Sequence, residues 1–406
     1  MMLIVQKFGG TSVANLERVR AVGERVRKTA GDGHKVVVVL SAPAGETDQL
    51  LKLASEITNQ PDPRECDSLV ALGEQKSVAL LGLYLKAQNV PCVSLSGWQV
   101  PVWTDSEHGK ARIRHIEPER IFKELGSGKV VIVTGFQGIT EEGDVATLGR
   151  GGSDTSAVAL AAALKADLCE IYTDVDGVYT ADPKVVSGPK LLQKISYEEM
   201  MELADAGAKV LQTRSVEVAA KHRVPLKVRS SFNDHPGTEV VSENESLEKI
   251  LVAGVTLNKN EARISIRRIP EGQGVLAKFF GPLAEAGINV DMIVENLAAD
   301  GTADLGFTVS KGDLRTAMKY AEMVAKKMGA GRVEAAGDIA KISIVGLGMR
   351  THAGVAYRIF QILADLGVAV QMVTTSEIKV SLVVAMDDAE KAVRELHKAF
   401  GLEKNA

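Results

Sequence analysis

The chain has 406 residues, 45% of them hydrophobic and 25% charged, with a formal net charge of −4. Two to three globular domains with sizeable cores are expected, and the acidic balance excludes nucleic acid or an anionic membrane as the main partner, since both need a basic footprint. Cys66, Cys92 and Cys169 are widely spaced and form no C-x-x-C pair, so neither a metal knot nor a disulfide framework is expected; with no apolar run of bilayer length and no signal-peptide pattern, a cytoplasmic protein is expected.

The first element, Leu3-Ile4-Val5-Gln6-Lys7-Phe8, is an apolar run of strand character carrying one lysine. It stops at Gly9-Gly10 and passes through Thr11-Ser12 into a stretch whose apolar positions, Val13, Leu16, Val19, Val22 and Val26, keep helical spacing. Glycines let a ligand approach the backbone, a helix start offers free N–H groups and partial positive charge, and a lysine adds a full charge. Together they describe a phosphate site; the alternative is an edge strand with a tight turn and a solvated lysine. Neither G-x-x-x-x-G-K-[ST] nor G-x-G-x-x-G occurs here.

Lys35 to Leu40 is a β-branched run suited to a buried parallel strand. A small-residue loop, Ser41 to Asp48, leads to another helical stretch, so strand–helix–strand units around a parallel sheet are expected. A long helix is predicted from Glu65 to Gln88 with Glu74 inside it, then strands at Pro91–Leu95 and Val130–Thr134. The glycine-rich loop Thr147-Leu148-Gly149-Arg150-Gly151-Gly152-Ser153-Asp154-Thr155 precedes an alanine-rich helix, Ala157–Ala166. A strand at Leu168–Thr173 runs into Asp174-Val175-Asp176-Gly177-Val178-Tyr179-Thr180-Ala181-Asp182-Pro183-Lys184. Helices near Ser196–Asp205 and Thr213–His222 precede a last strand, Leu226–Arg229. Ligands of open α/β sheets collect beyond the carboxyl ends of the strands. Polar or glycine-rich loops follow Val5, Leu40, Thr134 and Thr173, which argues for a nucleotide facing a second polar substrate.

The polar stretch Asn233–Glu248 reads as a domain boundary. Beyond it lies an internal repeat: Gly274-Val275 to Asp291-Met292 matches Gly354-Val355 to Gln371-Met372 at one constant offset. Arg263-Ile264-Ser265-Ile266 matches Lys341-Ile342-Ser343-Ile344 upstream, and Asp313 and Asp388 each lead a helix. Each unit reads β-α-β-β-α, is small for a stand-alone core, and is expected to pair side by side with its copy.

On these motifs the sequence resembles the aspartokinases of the amino-acid kinase family. Val5 to Val13, Thr147 to Thr155 and Tyr172 to Lys184 are similar to the family's three signatures, and the repeat resembles its tandem ACT domains. The resemblance implies a three-layer αβα sandwich with a mainly parallel sheet over residues 1–240, then two ferredoxin-like ACT units over 250–335 and 336–406. It implies transfer of the ATP γ-phosphoryl group to the β-carboxylate of L-aspartate. A carboxylate is ionised at neutral pH and needs no general base; cations, N–H groups and Mg²⁺ held mainly by the ATP phosphates would do the work.

By the same resemblance Lys7 would meet the transferred phosphoryl group, with Gly9 and Gly10 donating N–H groups, and Asp154 with Ser153 would orient the phosphate and its metal. Arg150, in the Gly151-Gly152 loop, would grip the substrate α-carboxylate. Glu74 would take the ammonium, and Ser41 and Thr47 would add hydroxyls, although Ser41, Thr47 and Ser153 also suit ordinary cap or turn roles. Thr173, Asp174, Tyr179, Asp182 and Lys184 would line the nucleotide, with Lys209 closing on it. Pro43 stands where methionine is common, stiffening its loop and removing one N–H. Lysine, threonine or both would act as feedback effectors. Their candidate contacts are Gln273, Gly274, Val275, Leu276, Asn289, Val290, Asp291 and Glu295 in the first ACT unit, and Thr374, Thr375, Ser376 and Glu377 in the second. A homodimer through the ACT units, or an α2β2 assembly with a shorter chain, is implied.

Overall fold

The computed structural model describes residues 1–208, 210–242, 251–352 and 354–404. It divides into two compact units. The first comprises Met1–Val178, Leu191–Asp205 and Lys209–Leu247, and the second Tyr179–Lys190, Ala206–Ala208 and Glu248–Ala406.

The first unit opens with β1 (Leu3–Phe8), α1 (Leu16–Gly31), β2 (Lys35–Leu40), α2 (Glu46–Ile57), α3 (Pro63–Val70), α4 (Leu72–Ala87) and β3 (Cys92–Leu95). It continues through β4 (Val102–Thr104), β5 (Ile113–Ile116), α5 (Glu119–Gly126), β6 (Val130–Thr134), β7 (Gln137–Ile139), β8 (Val145–Thr147), α6 (Gly152–Leu164) and β9 (Leu168–Thr173). It ends with β10 (Lys194–Ser196), α7 (Tyr197–Asp205), α8 (Thr213–His222), β11 (Leu226–Ser230) and β12 (Thr238–Val241). The main sheet has eight strands in the order β10-β12-β11-β9-β1-β2-β6-β3. Every pairing is parallel except β11 with β12.

The side-chain period of two decides which face each strand residue serves. Phe8, Val36, Val38, Leu40, Val130, Ile132 and Tyr172 join Val19, Val22 and Val26 of α1 and Val78, Leu81 and Leu85 of α4 in one core. Lys7, opposite Val39 and Ile171 in register, points to the other face, where it meets α6. Helices therefore cover both faces, the αβα sandwich expected.

Local details correct the sequence reading. The helix after Gly9-Gly10 does not start at Thr11-Ser12. A short 3₁₀ turn occupies Gly10–Val13, and α1 begins at Leu16, where the Asn15 side chain accepts the Arg18 amide. The long helix around Glu74 is two helices meeting at Ala71, and Glu74 lies in the first turn of α4 rather than mid-helix. The Gln137 side-chain amide donates to the Ala71 carbonyl at 3.1 Å, alongside the Gln75 amide at 3.4 Å.

A second, four-stranded sheet, β5-β4-β7-β8, was not legible in the sequence because its strands have three or four residues each. Leu226–Ser230 is not the last strand either. β12 falls inside the polar boundary stretch and continues the main sheet.

The second unit contains β13 (Gly254–Pro270), α9 (Val275–Glu285), β14 (Ile293–Leu297), β15 (Thr302–Ser310), α10 (Leu314–Met328), β16 (Val333–Val345), α11 (Val355–Asp365), β17 (Met372–Thr375), β18 (Lys379–Ala385) and α12 (Met386–Ala399). Asp388 sits in the first turn of α12 rather than leading it. All six strands form one sheet, β14-β15-β13-β16-β18-β17.

The start expected at 250 does not follow the cores. Residues 254–258 of β13 pair with Lys341–Val345 of β16, and Val255 packs with Ile342, Ile344, Ile359 and Leu363 in the second repeat's core. After bulges at 258–263 the same strand turns Ile264 and Ile266 to Phe279, Leu283 and Phe307 in the first repeat's core. The second repeat's core thus borrows the strand segment at 254–258 from ahead of the first repeat. Met292 and Met372, equivalent positions of the repeat, meet in a small shared cluster with Ile339 and Val383.

Candidate active site

The carboxyl ends of β1, β2 and β6 are tied loop to loop. The Ser41 amide donates to the Phe8 carbonyl at 3.2 Å, the Ala44 amide to Gly10 at 3.1 Å, and the Gly135 amide to Leu40 at 2.9 Å. A Cβ on Gly10 would stand 2.9 Å from the Ala42 carbonyl oxygen, a backbone atom with nowhere to go, so this crossing requires glycine.

Lys7 is nearly buried at 8% exposure, and its ammonium lies 2.5 Å from the Asp154 Oδ1 carboxylate oxygen on α6. It also lies against Gly9, where an added Cβ would stand 3.4 Å from Nζ. The Gly9 amide is not free for a phosphate: it donates to the Tyr172 carbonyl of β9 at 3.2 Å. The amide at Gly10 opens the 3₁₀ turn, whose first N–H groups have no partner within the turn.

The helix that begins at the strand ends is therefore α6, not α1. It starts at Gly152, earlier than the alanine-rich run suggests. Gly151 ahead of it has φ +72° and lies so close to the Gln212 side chain that a Cβ would collide at 1.7 Å. The turn holds Ser153 and Asp154 buried in the helix's first turn and leaves Arg150 exposed. Among the described residues Arg150 makes no ion pair, so its charge is not committed to a surface carboxylate.

Glu74 is 3% exposed. One carboxylate oxygen accepts the Ala42 amide at 2.9 Å, and the other is buried with no partner among the described residues. Burial pushes its pKa up from 4.5 to about 7, against the lowering effect of the Ala42 hydrogen bond. The donor amide belongs to Ala42, so the N–H missing at Pro43 is not one that Glu74 uses. Gly73 packs on Ala42 so tightly that a Cβ there would lie 2.6 Å from the alanine methyl. Ser41 and Thr47 sit half-exposed in the same loop and the first turn of α2.

Thr173 ends β9, its hydroxyl 3.2 Å from the Asp174 carboxylate. Tyr179, Asp182 and Lys184 fall in the stretch that belongs to the second unit, where the Asp182 carboxylate accepts the Lys184 amide in a local turn. Lys209 lies outside the described residues.

Side chains not singled out from the sequence complete the surroundings. Ser12 donates to Ser231, which donates to the Thr173 carbonyl, joining the ends of β1, β9 and β11. On the opposite face, Glu170 gathers Gln6, Tyr172 and Arg229 behind Lys7. No local pattern marks these residues; only strand register brings them together.

The effector candidates of the first repeat lie around the start of α9 and the approach to β14 and are mostly exposed. Among them the Asp291 carboxylate is already committed: it pairs with the buried Lys341 ammonium, which also lies 3.5 Å from Glu261. In the second repeat Glu377 pairs with Arg350 at 3.0 Å, and Ser376 closes a turn onto Lys379.

Residues 2–230 match the model of the amino acid kinase family, and residues 342–400 match an ACT domain model. An aspartate kinase of Stutzerimonas stutzeri and an aspartokinase of Pseudomonas aeruginosa are each 52% identical, over 100% of this chain and 99% of theirs. The structure of E. coli aspartokinase III with aspartate and ADP superposes with a TM-score of 0.83 at 27% identity, covering 98% of this chain and 99% of that one. The same enzyme with lysine and aspartate gives 0.77 at 28% identity, again over 98% and 99%. No helix among the described residues is long and apolar enough to cross a membrane. With the signature loops assembled at the strand ends of the first unit, a tandem ACT-like repeat in the second, and relatives 52% identical over the full chain, the chain belongs to the aspartokinases of the amino-acid kinase family.

Proposed function

We propose that this enzyme transfers the γ-phosphoryl group of ATP to the β-carboxylate of L-aspartate, giving 4-phospho-L-aspartate. In that reading it opens lysine, threonine and methionine biosynthesis in the cytoplasm, under feedback by lysine, threonine or both through the ACT units. The observation that carries the reading is the Lys7 ammonium held between Gly9 and Asp154 at the end of β1, a fixed positive charge where two anions must be brought in line.

The aspartate β-carboxylate is its own nucleophile, so no residue need abstract a proton. Lys7 and the Gly10 turn neutralise charge on the phosphoryl oxygens, and the exchange of Asp154 for phosphate as the partner of Lys7 delivers that charge to the transition state. Mg²⁺ would be held mainly by the nucleotide phosphates, with the Asp154 carboxylate beside it. Glu74 takes the substrate ammonium through its unpartnered oxygen, and Arg150 takes the α-carboxylate with its planar fork. Thr173 and Asp174 serve the nucleotide side, together with Tyr179, Asp182, Lys184 and Lys209. The relatives with aspartate and ADP, and with lysine, support substrate and effector classes. A homodimer through the ACT units, or an α2β2 assembly, accompanies this reading.

An ATP-dependent hydroxylamine trap, run with aspartate, glutamate and N-acetylglutamate, tests the reaction. Aspartyl hydroxamate should form and the other two should not. Equal turnover of glutamate would overturn the substrate assignment. Activity unchanged by millimolar lysine and threonine, alone or mixed, would remove the effector assignment.

A further inference from the structure

Asp67 plays no part in the site as described, yet it is among the most engaged carboxylates of the first unit. It lies on α3, 1% exposed. Its Oδ1 accepts the Thr147 hydroxyl at 2.5 Å and its Oδ2 accepts the Thr147 amide at 2.9 Å. The Gly109 amide reaches both oxygens, at 3.1 and 2.9 Å, and His108 Nδ1 approaches Oδ2 at 2.9 Å. Both carboxylate oxygens are used as acceptors, by the Thr147 amide and hydroxyl and the Gly109 amide. An amide side chain of the same shape has one acceptor oxygen and cannot accept from all three.

The two segments so joined are the turn at His108-Gly109 and the end of β8, three residues before Arg150. The pinning continues along the chain. The Ala111 amide donates to the Thr147 carbonyl at 2.8 Å. The Arg214 guanidinium of α8 then donates to the Leu148 carbonyl at 2.8 Å and the Ala111 carbonyl at 3.1 Å. The two segments lie so close that a Cβ on Gly149 would stand 3.0 Å from the Gly109 carbonyl oxygen. A buried anion and a half-buried cation thus hold the strand up to Leu148, and the Gly149-Arg150-Gly151 turn hangs from that fixed end.

We propose that Asp67 is a positioning residue for aspartate binding: by holding Thr147 and Gly109 in one buried cluster it sets where the Arg150 guanidinium stands. This rests on the reading of Arg150 as the α-carboxylate ligand. Asp67 touches no substrate and acts through the backbone of the Arg150 loop. A bidentate pair is sensitive to sub-ångström placement, so loosening the loop weakens aspartate and leaves the nucleotide untouched.

The test is a double-mutant cycle read by steady-state kinetics, with circular dichroism to confirm folding. Asp67→Asn should raise the KM for aspartate about 30-fold, with the KM for ATP within about twofold and kcat within about threefold. In an Arg150→Ala background the same substitution should add less than about threefold, because residues acting as one unit are not additive. An unchanged aspartate KM in Arg150→Ala would sink the reading of Arg150 itself. A raised KM there, with Asp67→Asn unaltered or multiplying independently, would sink only the role given to Asp67. Equal rises in both KM values would mark a general structural role and overturn it as well. Thr147→Val covers the case of a poorly folded Asp67 variant: it removes one donor and should raise the aspartate KM about threefold, and no change would refute the proposal.

Discussion

Glu74→Gln separates substrate binding from stability, because burial makes the carboxylate costly before substrate arrives. The pKa stands at about 7 instead of 4.5, which corresponds to about 3 kcal/mol by which folding disfavours the ionised form. The folded state holds this proton more tightly than the unfolded chain, so the penalty is absent below pH 4.5, grows as pH rises to about 7, and is full above it. Glutamine keeps the shape and the hydrogen bond from Ala42 and removes the penalty. It leaves an amide where an oxygen was already unpartnered, which costs about 1–2 kcal/mol.

The net expectation is a fold about 1–2 kcal/mol more stable than wild type at pH 8, with the advantage gone or reversed at pH 4.5. Substrate binding should move the other way. Losing the charge opposite a buried ammonium costs about 3 kcal/mol, or roughly 150-fold in aspartate KM at pH 8. The wild-type aspartate KM should climb as pH falls below about 7, and this climb should vanish in the variant. Denaturant unfolding at pH 5 and 8 beside pH-dependent kinetics checks both arms. An aspartate KM within threefold of wild type, or a loss of stability that is the same at both pH values, would refute the reasoning.

Lys7→Ala should lower kcat about 10³-fold or more, since it removes a preorganised charge from the transition state, and it strands the buried Asp154 carboxylate, so a lower thermal midpoint is expected with it; an active variant would remove Lys7 from the reaction. Arg150→Lys keeps the charge and loses the fork, and should raise the aspartate KM about tenfold or more with the KM for ATP unchanged, which substrate-variation kinetics would settle. In the second unit His397 is buried, with Nε2 2.9 Å from the Thr180 hydroxyl and Nδ1 without a partner among the described residues. Burial depresses its pKa below 6.5 in spite of Glu403, so it is neutral at pH 7. Stability should fall as pH drops below 6.5 through the lowered value, and His397→Gln should flatten that part of the profile in a thermal melt series.

What the sequence determined by itself is the local chemistry and the periodicity. Buried β-branched runs such as Lys35–Leu40 have one stable use, as central parallel strands, and the offset between Gly274-Val275 and Gly354-Val355 announced two similar units. Lys7-Phe8-Gly9-Gly10 and Gly149-Arg150-Gly151-Gly152 were visible as glycine-rich turns beside a cation at strand ends, where open α/β sheets gather ligands.

Tertiary structure decided the rest, because it depends on partners far away in the chain. Whether the Gly9 amide is free is set by Tyr172, on a strand reached only through register. Whether Glu74 is mid-helix or at a helix start is set by the break at Ala71, which the residue pattern of 65–88 does not mark. Whether Asp291 can serve an effector is set by Lys341, whose buried ammonium needs a countercharge. The same holds for β13 and β16, long strands that each serve two cores, and for Asp67, an ordinary helix aspartate until Gly109 and Thr147 converge on it. Hydrophobic pattern reports which face is buried, but a hydrogen bond or ion pair between distant residues leaves no trace in local spacing.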